Sequence, residues 1–360
     1  MNVEPLVFTT REVAGTPEAP PPLGSANVEN VHFGAIAVVA ADGTLRYSAG
    51  DPHWSTFTRS TLKPFQALPF VREGGPERFG WSSREVALAC ASHSGEAMHT
   101  DVVRSMLESA DCDVGRLQCG CHVPGWYAAT GTTAPADGRW SPIEHNCSGK
   151  HAGFLAACRL HGEAVDDYLD PASPLQRRVA AAVADLAGVP EDAFGRGTDG
   201  CSAPNLAMPL SRLAGLYAQL AQGRDAPRDG YALGVLGDAM RAHPELVSGT
   251  ARSDLALMSL APGDWVTKIG ADGVQAIGIR SAGLGIAIKL TDGSRDALFR
   301  TVVEVLAQLD LLPPDRAAGP DGRSALGRWY RPLLRNARGA VTGRWLPAFR
   351  LRAASGRSAS

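Results

Sequence analysis

Residues 32–50 read HFGAIAVVAADGTLRYSAG, an apolar run, an Asp-Gly pair and a second, alternating run. Asp-Gly tolerates the positive φ angles of a tight reversal, so the stretch predicts a β-hairpin and marks where a sheet begins. The same character returns late in the chain. WVTKIGADGVQAIGIR (265–280) and GLGIAIKL (283–290) read as strands joined by Gly-rich turns, and RDALFRTVVEVLAQLD (295–310) follows as an amphipathic helix.

Between these ends, from Ser82 to about Leu220, apolar residues recur at helical spacing in SSREVALACA, HTDVVRSMLESA, SGKHAGFLAACRLHG, SPLQRRVAAAVADLAG and LSRLAGLYAQLAQG. Ser173 with Pro174 opens one of these helices and Gly188 closes it. The order strands, helices, strands, helix predicts an α+β fold with one antiparallel sheet assembled from remote segments and helices packed on it. Residues 26–349 are expected to form a single domain, preceded by a loose Pro-rich arm over residues 1–25 and followed by a flexible Arg/Ser-rich tail over 350–360.

The chain has 360 residues, 44% hydrophobic and 20% charged, with a formal net charge of -2. This is the composition of a globular enzyme and predicts no nucleic-acid binding. No apolar run reaches membrane-spanning length and the N-terminal stretch lacks a signal peptide's pattern, so no membrane partner and a cytoplasmic address are expected. The seven cysteines are not spaced as a disulfide framework and read as thiols, Cys90 and Cys158 as core residues. From residue 316 onward ten Arg accompany a single Asp, with Trp329, Tyr330, Trp345 and Phe349 interleaved; the aromatics are expected to pack on the main body.

The basic residues comprise thirty-one Arg and four Lys: Lys63, Lys150, Lys268 and Lys289. Arg keeps its proton, whereas a desolvated Lys can release one and act as base or metal ligand. In RSTLKPFQ (59–66), Ser60 and Lys63 lie about a turn apart, so hydroxyl and amine can meet and the amine can take the hydroxyl's proton. SHSGE (92–96) places Ser92 and Ser94 on a turn after a helix, and KIGADG (268–273) places Lys268 on a strand two residues before Gly270. Their order parallels the Ser-x-x-Lys, Ser-x-Asn, Lys-x-Gly order of penicillin-recognising enzymes, with Ser94 in place of Asn and Ile269 in place of Thr. A helix cap beside a solvated lysine is the plain alternative for Ser60 and Lys63.

HNCSGKHAGF (145–154) carries Cys147 and Lys150 at a helix start, and GTDGCSAPN (197–205) offers Asp199 and Cys201 on what reads as a second turn leading into a helix. Two thiols with nearby nitrogen and oxygen donors suit a borderline-soft cation such as zinc, although Lys150 could equally pair with Asp199. CGCHVP (119–124), with Cys119, Cys121 and His122, is a competing metal or redox candidate. His93, Glu96 and Asn146 sit beside these motifs and could orient a small polar substrate.

Together RSTLKPFQ, SHSGE, CGCHVP, HNCSGKHAGF, GTDGCSAPN, KIGADGV and NARGAVTG (336–343) resemble, in order, the asparaginase II family of rhizobial-type Ser-Lys, zinc-containing L-asparaginases. The resemblance runs from about His32 to Leu346. It implies hydrolysis of L-asparagine to L-aspartate and ammonia, a fold similar to serine β-lactamases and glutaminases, and a homodimer. It implies a nucleophile at Ser60 with Lys63 as partner, a second pair Ser92–Lys268, a Zn2+ site at Cys147, Lys150 and Cys201, and substrate contacts from Arg59, His93, Asn146 and Gly270. Lys289 is expected to be an ordinary strand residue. The rival readings are a β-lactamase-like serine hydrolase, a glutaminase, and a metal-stabilised binding protein in which the cysteines only staple helices.

Overall fold

A computed structural model describes residues 2–14, 21–312, 326 and 333–354. Its strands are β1 (Glu4–Thr10), β2 (Val28–Ala40), β3 (Leu45–Ala49), β4 (Ser55–Phe57), β5 (Gly195–Thr198), β6 (Pro204–Pro209), β7 (Trp265–Gly270), β8 (Val274–Ile279), β9 (Leu284–Leu290), β10 (Leu333–Arg335), β11 (Val341–Pro347) and β12 (Arg352–Ala353). The large sheet runs β10-β11-β1-β2-β9-β8-β7, with β3 paired to the far end of β2 and β12 to β3; β4, β6 and β5 form a small second sheet. Every pairing is antiparallel. The expected α+β architecture, a sheet drawn from both ends around a helical middle, is the one observed.

Residue size decides how each face of the sheet is covered. On β2, Ala35, Ala37 and Val39 face one core while Ile36 and Val38 face another, as the period of two requires. The first face is lined with small residues, including Ala276 and Ala287, and the helix Leu210–Gln222 lies close upon it. A Cβ on Gly285 would stand 1.9 Å from the Ala214 carbonyl oxygen, and one on Gly278 2.2 Å from that of Tyr217. The opposite face presents Ile277, Ile279, Ile286 and Ile288 to the helix Arg295–Gln308. Ser173 caps the Pro174–Ala187 helix and Gly188 ends it in left-handed conformation, as expected from their types.

Three sequence expectations need correction. The first 25 residues are not simply a loose arm: Glu4–Thr10 forms β1, inserted between β2 and β11, with Leu6, Val7, Phe8 and Thr10 buried. Arg352 and Ala353, expected in a flexible tail, pair with Ser48 and Tyr47 of β3. GTDGCSAPN leads from β5 into β6 rather than into a helix, because Ser202 takes a left-handed conformation (φ 68°) and reverses the chain. Trp345 stacks on His32 and against the Arg300 guanidinium, and Phe349 is buried, as expected; Trp329 and Tyr330 lie outside the described residues.

Candidate active site

The turn that carries Ser60 is held from several directions. Arg59 adopts φ 51°, a left-handed conformation that costs a non-glycine residue roughly 1–2 kcal/mol and persists only where surroundings enforce it. Its backbone N–H donates to Asn205 Oδ1 (3.2 Å), its Nε to Asp199 Oδ1 (2.8 Å), and its Nη1 pairs with Asp272. Tyr217 donates its hydroxyl to the Thr61 carbonyl (2.7 Å), tying the turn to the helix that covers the sheet. Residues Arg59–Leu62 form a 3-10 turn, and the Lys63 N–H bonds the Ser60 carbonyl at the start of the short helix Lys63–Gln66. Side chains three apart eclipse in such a turn, which sets half-buried Ser60 beside the origin of the Lys63 side chain.

Lys63 is buried, and its Nζ donates to the Ala91 carbonyl (2.5 Å), to Ser92 Oγ (2.9 Å) and to the Asn146 carbonyl (3.3 Å). Three acceptors match the three protons of an ammonium. The expected partner of Lys63 was Ser60; its hydroxyl contact in the structure is Ser92. Lys268 lies on β7 with its side chain wholly buried, donates Nζ to the Ile269 carbonyl (2.9 Å) and stands 3.9 Å from Asp254 Oδ2. Burial outweighs the attraction of Asp254 and, helped by Lys63 and Arg252, brings its pKa down to about 7. Gly270 closes the strand beside the Ser60 turn: a Cβ there would meet the Thr58 carbonyl oxygen at 3.1 Å and Arg59 Cβ at 3.3 Å.

The Ser92–Glu96 loop is fixed by its backbone, with the Ser92 N–H on the Val247 carbonyl and the His93 N–H on that of Asn146. His93 Nδ1 accepts from the Gly95 N–H (3.1 Å), so the proton of the neutral ring sits on Nε2 and is donated to Ser148 Oγ (2.9 Å), whose hydroxyl passes on to the Ile143 carbonyl. Burial, with the nearby His99 and Lys63, holds His93 well below its usual pKa and therefore uncharged. Ser94 Oγ donates to Glu96 Oε1 (2.5 Å). Burial pushes the Glu96 carboxyl up, but hydrogen bonds from Ser94 and Thr250 outweigh it and keep the group ionised. Asn146 accepts from Lys63 and His93 through its backbone carbonyl, and its N–H donates to His122 Nε2 (3.1 Å).

The cysteine-containing turns also converge. Cys147 ends the loop that opens the Ser148–His161 helix, Lys150 lies in the first turn of that helix, and Cys201 projects from the β5–β6 turn. Lys150 Nζ donates to Cys201 Sγ at 2.9 Å. A hydrogen bond from Cys201, aided by Lys63 and Lys150, overcomes burial and holds Cys147 well below its ordinary pKa. Burial opposes the Lys150 charge, but Cys147 and Cys201 outweigh it and raise its pKa. His151 Nε2 is buried without a hydrogen-bond partner and faces Cys201, while its Nδ1 is 2.7 Å from the Tyr168 hydroxyl. Two thiols and an amine suit a borderline-soft cation, and lysine is essential to the set: among the described residues no three His, Cys, Asp or Glu side chains gather by themselves.

The structure therefore brings Ser60, Lys63, Ser92, Lys268, Arg59, His93, Asn146 and Gly270 into one region and sets Cys147, Lys150 and Cys201 beside it. Asp199 pairs with Arg59. CGCHVP does not act as a unit: Cys119 is buried, with its thiol pushed up to about 12 by burial, whereas Cys121 is exposed. Lys289 lies on β9 and donates to the Asp272 carbonyl. The residue that sequence reading missed is Asp254, wholly buried, which accepts from Thr267 Oγ1 (3.0 Å), the Ile269 N–H (2.9 Å) and Gln275 Nε2 (3.0 Å). Its signal, an acid in the first turn of the helix Ser253–Leu260, is indistinguishable from an ordinary helix-start carboxylate.

Among the described residues no helix is long and apolar enough to cross a membrane. The chain is similar to a β-lactamase from Mycobacterium bovis at 15% identity over 76% of this chain and 94% of that one, with a TM-score of 0.41. It is also similar to Mglu in its native form, at 17% identity over 79% of this chain and 63% of that one, with a TM-score of 0.35. A search of curated proteins gives no match. The family model for L-asparaginase II matches residues 24–347, which span both Ser-Lys motifs and the cysteine turns; the chain belongs to the L-asparaginase II family.

Proposed function

We propose that the chain hydrolyses L-asparagine to L-aspartate and ammonia through an acyl-enzyme on Ser60. Membership of the family implies amidohydrolase chemistry. The observation that carries the residue assignment is the 2.9 Å bond from buried Lys63 to Ser92, beside a second lysine whose pKa lies near 7. In this reading Lys63 is the junction between two serines: it springs from the turn that bears Ser60 and reaches Ser92. Lys268 is the member of the group able to be neutral near neutral pH, and so to accept the proton that Ser60 loses.

Ser60 Oγ attacks the side-chain amide carbon, and its proton is taken up by the neutral Lys268 amine. Backbone N–H groups of the Ser60 turn and of β7 hold the developing oxyanion. The C–N bond then breaks as Ser92 and its lysine partner return a proton to the departing nitrogen. Water hydrolyses the β-aspartyl ester with the proton duties reversed. The Arg59 guanidinium, engaged by Asp199 and Asp272, positions the nucleophile turn in addition to any substrate contact.

Cys147, Cys201 and Lys150 would hold zinc. When bound, the ion supplies a fixed positive charge beside the serines. Lys150 and Cys201 must each give up a proton to serve as donors. Calorimetric titration with zinc in buffers of different ionisation enthalpy is therefore expected to show proton release, and removal of zinc by a chelator to raise KM more than it lowers kcat.

Ammonia release measured with asparagine, glutamine and small amides tests the activity. Ser60→Ala is expected to abolish release while leaving the circular dichroism spectrum intact; turnover that survives it overturns the assignment of the nucleophile. One methylene discriminates by roughly 10–200-fold in a pocket, so glutamine is expected to be a poor secondary substrate. Labelling by a penicillin probe without asparagine turnover would favour the β-lactamase-like reading instead.

A further inference from the structure

A cavity of about 460 Å³ opens between the Gly125–Thr130 helix, the segment 251–253 and the start of the Arg295–Gln308 helix. Its volume is in the range of small-molecule sites, roughly 300–1,000 Å³. Three guanidinium groups, Arg252, Arg295 and Arg300, line it against one carboxylate, Asp296. We propose that this cavity is a binding site for a small oxyanion, a phosphate or carboxylate compound held chiefly by Arg252 and Arg295.

The three arginines differ in how far their charge is already met. Arg300 is committed: Nη1 donates to the Asp296 carbonyl (2.9 Å) and lies 3.9 Å from its carboxylate, and the group stacks 4.0 Å over Trp345, although its Nε is buried without a partner. Arg295 makes a cation–π contact with Phe299 at 5.9 Å and leaves its N–H groups to the cavity. Arg252 makes no side-chain hydrogen bond or ion pair among the described residues. Burial lowers its pKa, the mark of a cation removed from water without full compensation.

The acids nearest Arg252 are occupied elsewhere. Asp254 receives Thr267, the Ile269 N–H and Gln275, and Glu96 receives Ser94 and Thr250. Gly125 leaves the space that Arg252 uses: a Cβ there would lie 3.3 Å from its Nη1. A guanidinium offers a planar fork of donors that matches phosphate and carboxylate oxygens, and two unmet forks lining one cavity define a site for an anion with at least two oxygens. The cavity is distinct from the serine cluster but abuts its loop, since the Trp126 N–H donates to the Ser94 carbonyl (2.9 Å).

Binding is tested by isothermal calorimetry on full-length Ser60→Ala protein, with inorganic phosphate in one arm and succinate in the other. The expected result is saturable one-site binding of at least one anion, weakened roughly tenfold or more in both Arg252→Gln and Arg295→Gln, the loss of one charge-assisted contact. Preference for phosphate identifies a phosphorylated ligand, and preference for succinate a carboxylate one. Arg295 is exposed, so Arg295→Gln remains informative even if Arg252→Gln fails to fold. No saturable binding of either anion, or binding undiminished in the variants, overturns the proposal.

Discussion

Lys268 has one carbonyl acceptor, a carboxylate 3.9 Å away and no exposure to solvent, so much of its chemistry follows from desolvation. With a folded pKa of about 7 against an ordinary 10.5, the unfolded chain binds a proton between those values that the folded chain does not. This group's contribution to stability therefore rises with pH across that window, and its burial cost is fully present below pH 7. Urea unfolding at pH 7 and pH 9.5 is expected to show a smaller pH-dependent gain in Lys268→Met than in the parent. On the proposed mechanism kcat/KM rises as pH passes about 7, and Lys268→Arg, which keeps its charge, loses roughly 10²–10⁴ in rate. Asp254→Ala leaves Thr267, the Ile269 N–H and Gln275 without their acceptor and is expected to destabilise by about 3 kcal/mol, read from the urea midpoint. At this scale the lysines were legible because Arg fills ordinary cationic positions. Which serine each amine meets was not, because a four-carbon side chain selects its acceptor from segments remote in sequence, here Ala91, Ser92 and Asn146.

Where elements meet, glycine and alanine on β8 and β9 decide how closely the Leu210–Gln222 helix can approach. Gly285→Ala would drive a methyl group into the Ala214 carbonyl, and the helix would have to lift from the sheet. Overpacking of this kind costs typically 1–3 kcal/mol, and because Tyr217 on that helix also holds Thr61, the change is expected to lower kcat as well as the melting temperature. The helices and the strands of the late sheet were legible from period, caps and turn residues. The small β4–β6–β5 sheet was not: Gly195–Thr198 reads GRGT, with no apolar alternation, and becomes a strand only because β6 supplies its partner. That error concealed why Cys201 can reach Lys150, since a reversal at Ser202 places the thiol over the start of the Ser148–His161 helix.

For the molecule as a whole, the weightiest misreading concerned EPLVFTT, residues 4–10. Seven residues amid prolines carry little local strand signal, and the partners that make them a strand lie in β2 and in the distant β11. Leu6, Val7 and Phe8 are buried there, each contributing about 2 kcal/mol of apolar burial. Deletion of residues 2–12 is expected to cost several kcal/mol in thermal unfolding and to favour self-association through the uncovered strand edge, measured by light scattering. The pairing of β1 with β11 also has a consequence for the order of events during synthesis. While the nascent chain is still attached to the ribosome, β1 can dock on β2, but its other edge stays bare until residues 341–347 emerge. Closing a contact across nearly the whole polypeptide comes late and slowly, so truncated translation products would present an open template for aggregation just where the finished enzyme has none.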